Sequence, residues 1–217
     1  MPIVDKTIRG FDDTIAWYNA NAQQYAKNIE NVPSLDYLDE FSNLVGKNRT
    51  VLDAGCASGR DTNLLCQRGL NAIGLDLSES LVNIARQKYP YLRFIEGNFL
   101  ELPFQNNSYD GIWAHASLLH LESTADVITA LNEFRRVLKS EGIIHIFVKQ
   151  QLGSEKTSIV SDKILGCDRF FQWFTGNEMR DVLKKTNYAI IKIEDNIPDP
   201  SGRNEVIWIR VLARCNK

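Results

Sequence analysis

Thr50-Val51-Leu52-Asp53-Ala54-Gly55-Cys56-Ala57-Ser58-Gly59-Arg60-Asp61-Thr62 decides the fold. A short apolar run ends in a carboxylate, and a turn of small residues opens into a helical pattern. A parallel strand hands over to a helix in this way in a doubly wound sheet, whose ligands sit at the carboxyl ends of the strands. Gly55 and Gly59 lack a Cβ, so backbone can pass close to a ligand and φ can be positive. The helix start that follows presents free N–H groups and the positive end of its dipole. By itself the loop points to a nucleotide or nucleoside site.

The dinucleotide fingerprint G-x-G-x-x-G is absent, because Ala57 stands at the second glycine and Arg60 at the third. The pattern present is acid-x-Gly-x-x-x-Gly, with Asp53 at the strand end. A carboxylate there suits a ligand carrying an amino group better than one carrying a pyrophosphate. A second strand, Asn71 to Asp76, also ends in an acid, with Leu77 beside it and Ser78 capping the next helix. Asp76 can accept hydrogen bonds from both hydroxyls of an unphosphorylated ribose. A third strand, Leu92 to Glu96, leads to Asn98 and Phe99, an amide and an aromatic suited to the edge and face of an adenine.

V-L-D-A-G-C-A-S-G-R-D-T, G-L-D-L-S-E-S-L-V-N-I-A-R and G-N-F-L-E-L-P-F follow one another at residues 51–62, 74–86 and 97–104. In order and spacing they resemble the class I S-adenosylmethionine-dependent methyltransferases of the small-molecule, type 11-like kind. The resemblance runs from about residue 10 to the C-terminus and implies one domain over 1–217. Its fold would be α/β, a Rossmann-like seven-stranded mixed sheet with the last strand antiparallel and helices on both faces. S-adenosylmethionine would be the cofactor, S-adenosylhomocysteine its product, and no metal would be needed. Two positions depart from the family pattern. Ala57 replaces a glycine, a mild change if φ there is negative, and Asn98 replaces an acid, leaving its side-chain carbonyl to accept from the adenine amino group.

Composition is that of an ordinary globular chain: 217 residues, 44% hydrophobic, 24% charged and a net charge of −2. No basic run or Arg-rich tail marks a nucleic-acid partner. Cys56, Cys66, Cys167 and Cys215 form no C-x-x-C pair and no ligand spacing with the three histidines, so free thiols and no metal are expected. The first residues lack the apolar core of a signal peptide, and no run has membrane-spanning length. A cytoplasmic monomer or homodimer with no membrane contact is the expectation.

Apolar residues from Ile15 to Ile29 recur every three or four positions, which predicts one helix with Tyr18 and Tyr25 on the same side. A second helix opens at Pro33-Ser34 and stops at Gly46. The periodicity alone fits helices packed on the sheet; the resemblance implies that residues 1–46 cover the cofactor and acceptor cleft. Arg60, in the first turn after Gly59, faces solvent or the cofactor carboxylate. Strand four, Tyr109 to His115, leads into Ala116 to Leu121, where an acceptor would bind. His145 lies mid-strand in the apolar run Ile143 to Val148 and reads as a satisfied core histidine. Residues 149–174 carry no clear period and read as an irregular lid or acceptor loop. Base-amino and cytosine-C5 methylation signatures are missing after strand four. The readings left are a small-molecule acceptor, a protein or RNA acceptor, or a cofactor-binding module without catalysis.

In-line methyl transfer needs position, a dry pocket and, for a protic acceptor, a base. His115 and His120 are the candidates, since imidazole titrates near neutrality. His115 is expected beside the methyl group and His120 at the pocket rim. The cofactor set is Tyr25, Asp53, Gly55, Gly59, Arg60, Asp76, Leu77, Asn98, Phe99 and His115. Trp17, Tyr18, Trp113, Phe170, Phe171 and Trp173 are candidates to wall an apolar acceptor pocket.

Overall fold

Strand β1 (Thr50–Ala54) is buried on both faces, as its near-continuous apolar run requires. β2 (Asn71–Asp76) and β4 (Tyr109–His115) flank it in parallel, pairing Val51 with Ala72 on one side and with Gly111 on the other. The computed structural model describes residues 11–30, 32, 36–162 and 167–217. The unpatterned residues 1–10 and the expected helix opening at Pro33-Ser34 lie outside the described residues.

With β3 (Arg93–Glu96), β5 (Leu138–Lys149), β8 (Tyr188–Pro198) and β9 (Ile207–Cys215), the sheet has seven strands in the order β3-β2-β1-β4-β5-β9-β8. The last strand, β9, runs antiparallel to both β5 and β8. Alternate residues feed opposite faces. Val51, Trp113 and Ile143 pack with Leu38 and Phe41 of α3 (Tyr37–Val45) and Leu65 of α4 (Arg60–Gln67). Leu52, Ile112 and Ile144 pack with α6 (Thr124–Val137) and α7 (Gly176–Lys185). Between these helices in sequence, α5 (Glu79–Lys88) starts at Ser78, whose hydroxyl accepts from the Leu81 N–H. The strand order reverses between β1 and β4, so a crevice opens at their carboxyl ends.

Two local expectations are corrected. The periodic stretch from residue 13 to 29 forms two helices, α1 (Phe11–Ala20) and α2 (Ala22–Ile29), separated at Asn21. The Asn21 amide donates to the Trp17 carbonyl at 3.0 Å, the local competition that makes asparagine a poor residue inside a helix. Tyr18 and Tyr25 still share a side, with ring centroids 4.8 Å apart. Residues 149–174, expected to be irregular, contain an antiparallel hairpin of β6 (Thr157–Asp162) and β7 (Cys167–Gln172). The chain returns to its departure point, where the Phe174 N–H donates to the Lys149 carbonyl at 3.1 Å. β7 lies against α1, joined where the Phe170 N–H donates to the Thr14 hydroxyl. The hairpin was hidden because its buried side rests on α1 and the short helical turn 118–120, a tertiary contact with no two-residue period.

Candidate active site

The β1–α4 turn is pinned by backbone. Gly55 and Cys56 both donate to the Leu75 carbonyl, at 2.8 and 3.0 Å. Gly55 has φ +87°, and a Cβ there would lie 2.4 Å from the Ser117 Cβ. Ala57 has φ +49°, so the condition under which alanine would be a mild replacement for the family's glycine is not met. That left-handed turn aims the Ala57 N–H at Asp76, whose Oδ2 accepts it at 2.8 Å. The other oxygen of Asp76 accepts the Ser78 N–H at 2.9 Å. Asp76 therefore holds the turn and the start of α5 together, and burial raises its pKa against these hydrogen bonds.

Two cavities lie above the strand ends. One, of about 290 Å³, is faced by Asp53, Arg60 and His115; the other, of about 60 Å³, by Asp76, Leu77 and Phe99. Tyr18, Tyr25, Gly55, Ala57, Ala116 and His120 line both and form the partition. Asp53 is buried and accepts the Thr62 hydroxyl at 2.6 Å; desolvation, then the nearby Asp61 charge, pushes its pKa well up. Gly59 caps α4 at φ +81°, where a Cβ would meet the Phe94 ring at 2.6 Å. Asn98 lines neither cavity, and its side-chain carbonyl already accepts the Leu100 N–H at 2.8 Å.

Arg60 lines the larger cavity but faces neither solvent nor open space alone. It donates to the Ile29 carbonyl at the end of α2 at 2.7 Å and to Asp61 at 2.8 Å. Burial would raise the Asp61 carboxyl, yet the Arg60 charge and the hydrogen bonds from Arg60 and the Trp113 indole hold it below the usual carboxylate range.

The two candidate histidines are placed differently. His120 has both ring nitrogens engaged: Nδ1 lies 2.9 Å from the Phe170 carbonyl and Nε2 3.0 Å from the Tyr18 hydroxyl. A carbonyl only accepts, so Nδ1 carries the proton and Nε2 accepts from Tyr18, which in turn accepts from Arg169 at 2.9 Å. Burial, then the Arg169 charge, lowers its pKa to about 3. Held on both sides, His120 braces the hairpin against α1.

His115 lines the larger cavity with its ring stacked 4.5 Å from Phe147. Its Nδ1 lies 3.2 Å from Nε2 of His145, which stacks on Trp113 at 3.7 Å. His145 is not the satisfied core residue expected, since among the described residues its buried Nδ1 has no partner. The lower-cost tautomers have the orphan Nδ1 as a lone pair and Nε2–H of His145 donating to His115. His115 then carries its proton on Nε2, as a donor. The opposite arrangement would leave a buried N–H unpaired, costing about 1–3 kcal/mol. Burial lowers the pKa of His115 to about 4, with the Arg60 and Arg210 charges adding to the shift and Asp61 opposing it.

Of the six aromatics singled out in the sequence, Tyr18 and Phe171 line the larger cavity, whereas Trp113 is a core residue under the histidines. Phe147 and Trp208 complete its wall, stacked at 4.6 Å and 9°. Lys149, Arg169, Arg203 and Asp199 also line it, none of them singled out in the sequence. Asp199 accepts from Arg203 at 2.8 Å and from the Trp208 indole at 2.9 Å, and against burial those donors lower its pKa to about 2. Only Lys149 had a sequence signal, a cation closing an apolar strand at its carboxyl end.

Residues 52–146 match the family described as a methyltransferase domain. An uncharacterised protein of Methanocaldococcus jannaschii is 31% identical over 162 residues, 72% of this chain and 67% of that protein. The chain belongs to the class I S-adenosylmethionine-dependent methyltransferases. A sterol 24-C-methyltransferase of Gibberella zeae is 28% identical over 171 residues, and the methyltransferase described here covers 73% of its own length but 44% of that relative. The solved 1,6-didemethyltoxoflavin-N1-methyltransferase of Burkholderia thailandensis, holding its substrate and S-adenosylhomocysteine, superposes with a TM-score of 0.69 over 99% of this chain and 94% of that one. At 19% identity that likeness is one of fold. The donor set fits the family's cofactor: a buried carboxylate, Asp53, at one strand end, a half-buried one, Asp76, at the adjacent strand end, and a turn whose glycine has no room for a Cβ.

Proposed function

We propose that this methyltransferase carries a methyl group from S-adenosylmethionine to a small-molecule acceptor by in-line transfer. The observation that supports it is the two-part cleft at the strand ends, its larger chamber walled by Phe147, Phe171 and Trp208 under the β6–β7 hairpin. The cofactor supplies an electrophilic methyl on a sulfonium. Asp53 would accept from its amino group, Asp76 from the ribose hydroxyls, and Leu77 and Phe99 would flank the adenine. Asn98 would have one carbonyl lone pair left for the adenine amino group. Tyr25, which lines both cavities, would shift as the cofactor enters, while Tyr18 stays on His120 and Arg169.

His115 would orient the acceptor through its Nε2–H, and His120 would position the wall. Neither is placed as a base near neutral pH: one would have to exchange tautomers at a cost of about 1–3 kcal/mol, and the other has no open nitrogen. Catalysis would then rest on positioning and exclusion of water. Among the described residues no helix is long and apolar enough to cross a membrane. A cytoplasmic monomer or homodimer is the proposed working form.

Incubation with labelled S-adenosylmethionine and a metabolite extract, read by mass spectrometry, tests the reading. A labelled small molecule is the expected product. Label found only in polypeptide or RNA would overturn the small-molecule assignment.

A further inference from the structure

We propose that His145 is a positioning residue: by donating to His115 it holds the Nε2–H of that ring for the larger cavity, which selects an acceptor that docks through a lone-pair atom, a carbonyl oxygen or a pyridine-type nitrogen. This rests on reading that cavity as the acceptor site. His145 lies on β5, is fully buried and does not line the cavity, so it can reach an acceptor only through His115.

The two imidazoles lie edge to edge. Their planes differ by 12° and their centres are 5.5 Å apart, with Nε2 of His145 3.2 Å from Nδ1 of His115. That separation puts the N···N line in the plane of both rings, along the direction of an N–H and a nitrogen lone pair. Neighbouring rings hold the pair in this arrangement. Trp113 stacks on His145 at 3.7 Å, and Phe147 on His115 at 4.5 Å and 6°. Trp113 is itself fixed, since its indole N–H donates to Asp61 at 3.0 Å.

One proton lies between the facing nitrogens, and its owner decides what His115 shows the cavity. A proton on Nδ1 of His145 would be a buried donor with no acceptor among the described residues. With the proton on Nε2 instead, His145 donates, and His115 keeps its own proton on Nε2. Burial lowers the pKa of both rings, and the Arg210 charge adds to each shift, so neither carries a second proton. The Nε2–H of His115 is then left for the cavity that this residue lines. His120 offers no such group, because both of its nitrogens are engaged. An acceptor group that can only donate would leave the His115 N–H unanswered, whereas a carbonyl oxygen or a pyridine-type nitrogen satisfies it. Phe147 and Trp208, stacked at 4.6 Å, give a flat ring bearing such an atom a wall to lie against.

The chain has three histidines, so ¹⁵N labelling of histidine gives three ring patterns, assigned with His115→Gln and His145→Gln. Two-bond proton–nitrogen spectra of the full chain without ligand, near neutral pH, should show His115 and His145 both protonated at Nε2. A coupling across the hydrogen bond should link His145 Nε2 to His115 Nδ1. Quinoline, with a ring lone pair and no N–H, and indole, with an N–H and no ring lone pair, then probe the donor by isothermal titration. The preference for quinoline over indole should be about fivefold greater in the parent than in His115→Phe, the worth of one net hydrogen bond. His145→Phe should remove most of that preference while S-adenosylhomocysteine binds as in the parent, and His145→Gln, whose carboxamide can still donate, should restore it. A His115 ring protonated at Nδ1, binding of neither probe, or a preference that survives His115→Phe or His145→Phe would overturn the proposal. Failure of the parent to bind S-adenosylhomocysteine strikes the cofactor reading instead, because the ring patterns are recorded without that ligand.

Discussion

At the β1–β2 end of the cleft the lining groups are set by backbone: Gly55 and Cys56 hang on the Leu75 carbonyl, and Ala57 on Asp76. At the β5 end they are long side chains from a strand tip, a hairpin and a loop, held by aromatic rings and by Tyr18 and His120. The first end is local in sequence, most of it within residues 53–78. The second draws Lys149, Arg169 and Arg203 from segments that share no local pattern. One end can be kept while the other changes, which fits a fold that pairs one cofactor with many acceptors.

Asp76→Ala should have the largest effect and should fall on the first end. Losing a charged acceptor with two ribose partners is expected to weaken S-adenosylhomocysteine binding by roughly 2–4 kcal/mol. Because Asp76 also accepts the Ala57 and Ser78 N–H groups, the ligand-free protein should be destabilised too, by about 1–2 kcal/mol in urea. Unchanged ligand-free stability would show that the carboxylate does not hold the turn.

Acid should damage the second end. His115, His120 and His145 are buried and neutral, with folded pKa values below the unfolded 6.5. As pH falls below about 6.5 the unfolded chain takes up protons first, so stability is lost at up to ~1.4 kcal/mol per pH unit for each histidine. Asp53 and Asp76 oppose this, since their raised pKa values let the folded state bind a proton first. Three histidines against two aspartates leave a net loss of stability as pH falls from 6.5 to 5. A Tm that stays level or rises over that interval would mean the histidines are not held neutral by burial.

His115→Gln, which can still donate, should keep kcat within about tenfold of the parent, with no acidic limb between pH 5 and 8 in either enzyme. A loss of about 10²–10⁴ together with disappearance of such a limb would restore His115 as a base. The smallest effect belongs to Ala57→Gly. Relief of about 1–2 kcal/mol of left-handed strain is offset by the greater freedom of glycine and a lost methyl contact, so the change in stability should stay below about 1 kcal/mol. A destabilisation well above that would show the positive φ to be relaxed in solution.

The same contrast decides what could be read from the sequence. The apolar run, the acid at its end and the glycine spacing report strand, turn and helix directly, so the mixed sheet and the β1–α4 turn were legible. The sequence leaves the sign of φ at Ala57 as a condition, although a glycine kept by the family at that position already points to a positive φ. Asn21, the hairpin and the His115–His145 pair were not legible, because each depends on a neighbour brought in by tertiary packing. His145 differs from an ordinary core histidine in the His115 nitrogen 3.2 Å from its Nε2 and in its buried Nδ1, which has no partner among the described residues.

The most direct measurement is a titration of the unmodified protein with S-adenosylhomocysteine and, separately, with NAD and NADP. One-to-one binding of S-adenosylhomocysteine, with neither dinucleotide competing, is the predicted result. Binding of a dinucleotide in the absence of any for S-adenosylhomocysteine would contradict the assignment of Asp53 and Asp76, and with it the account of the cleft.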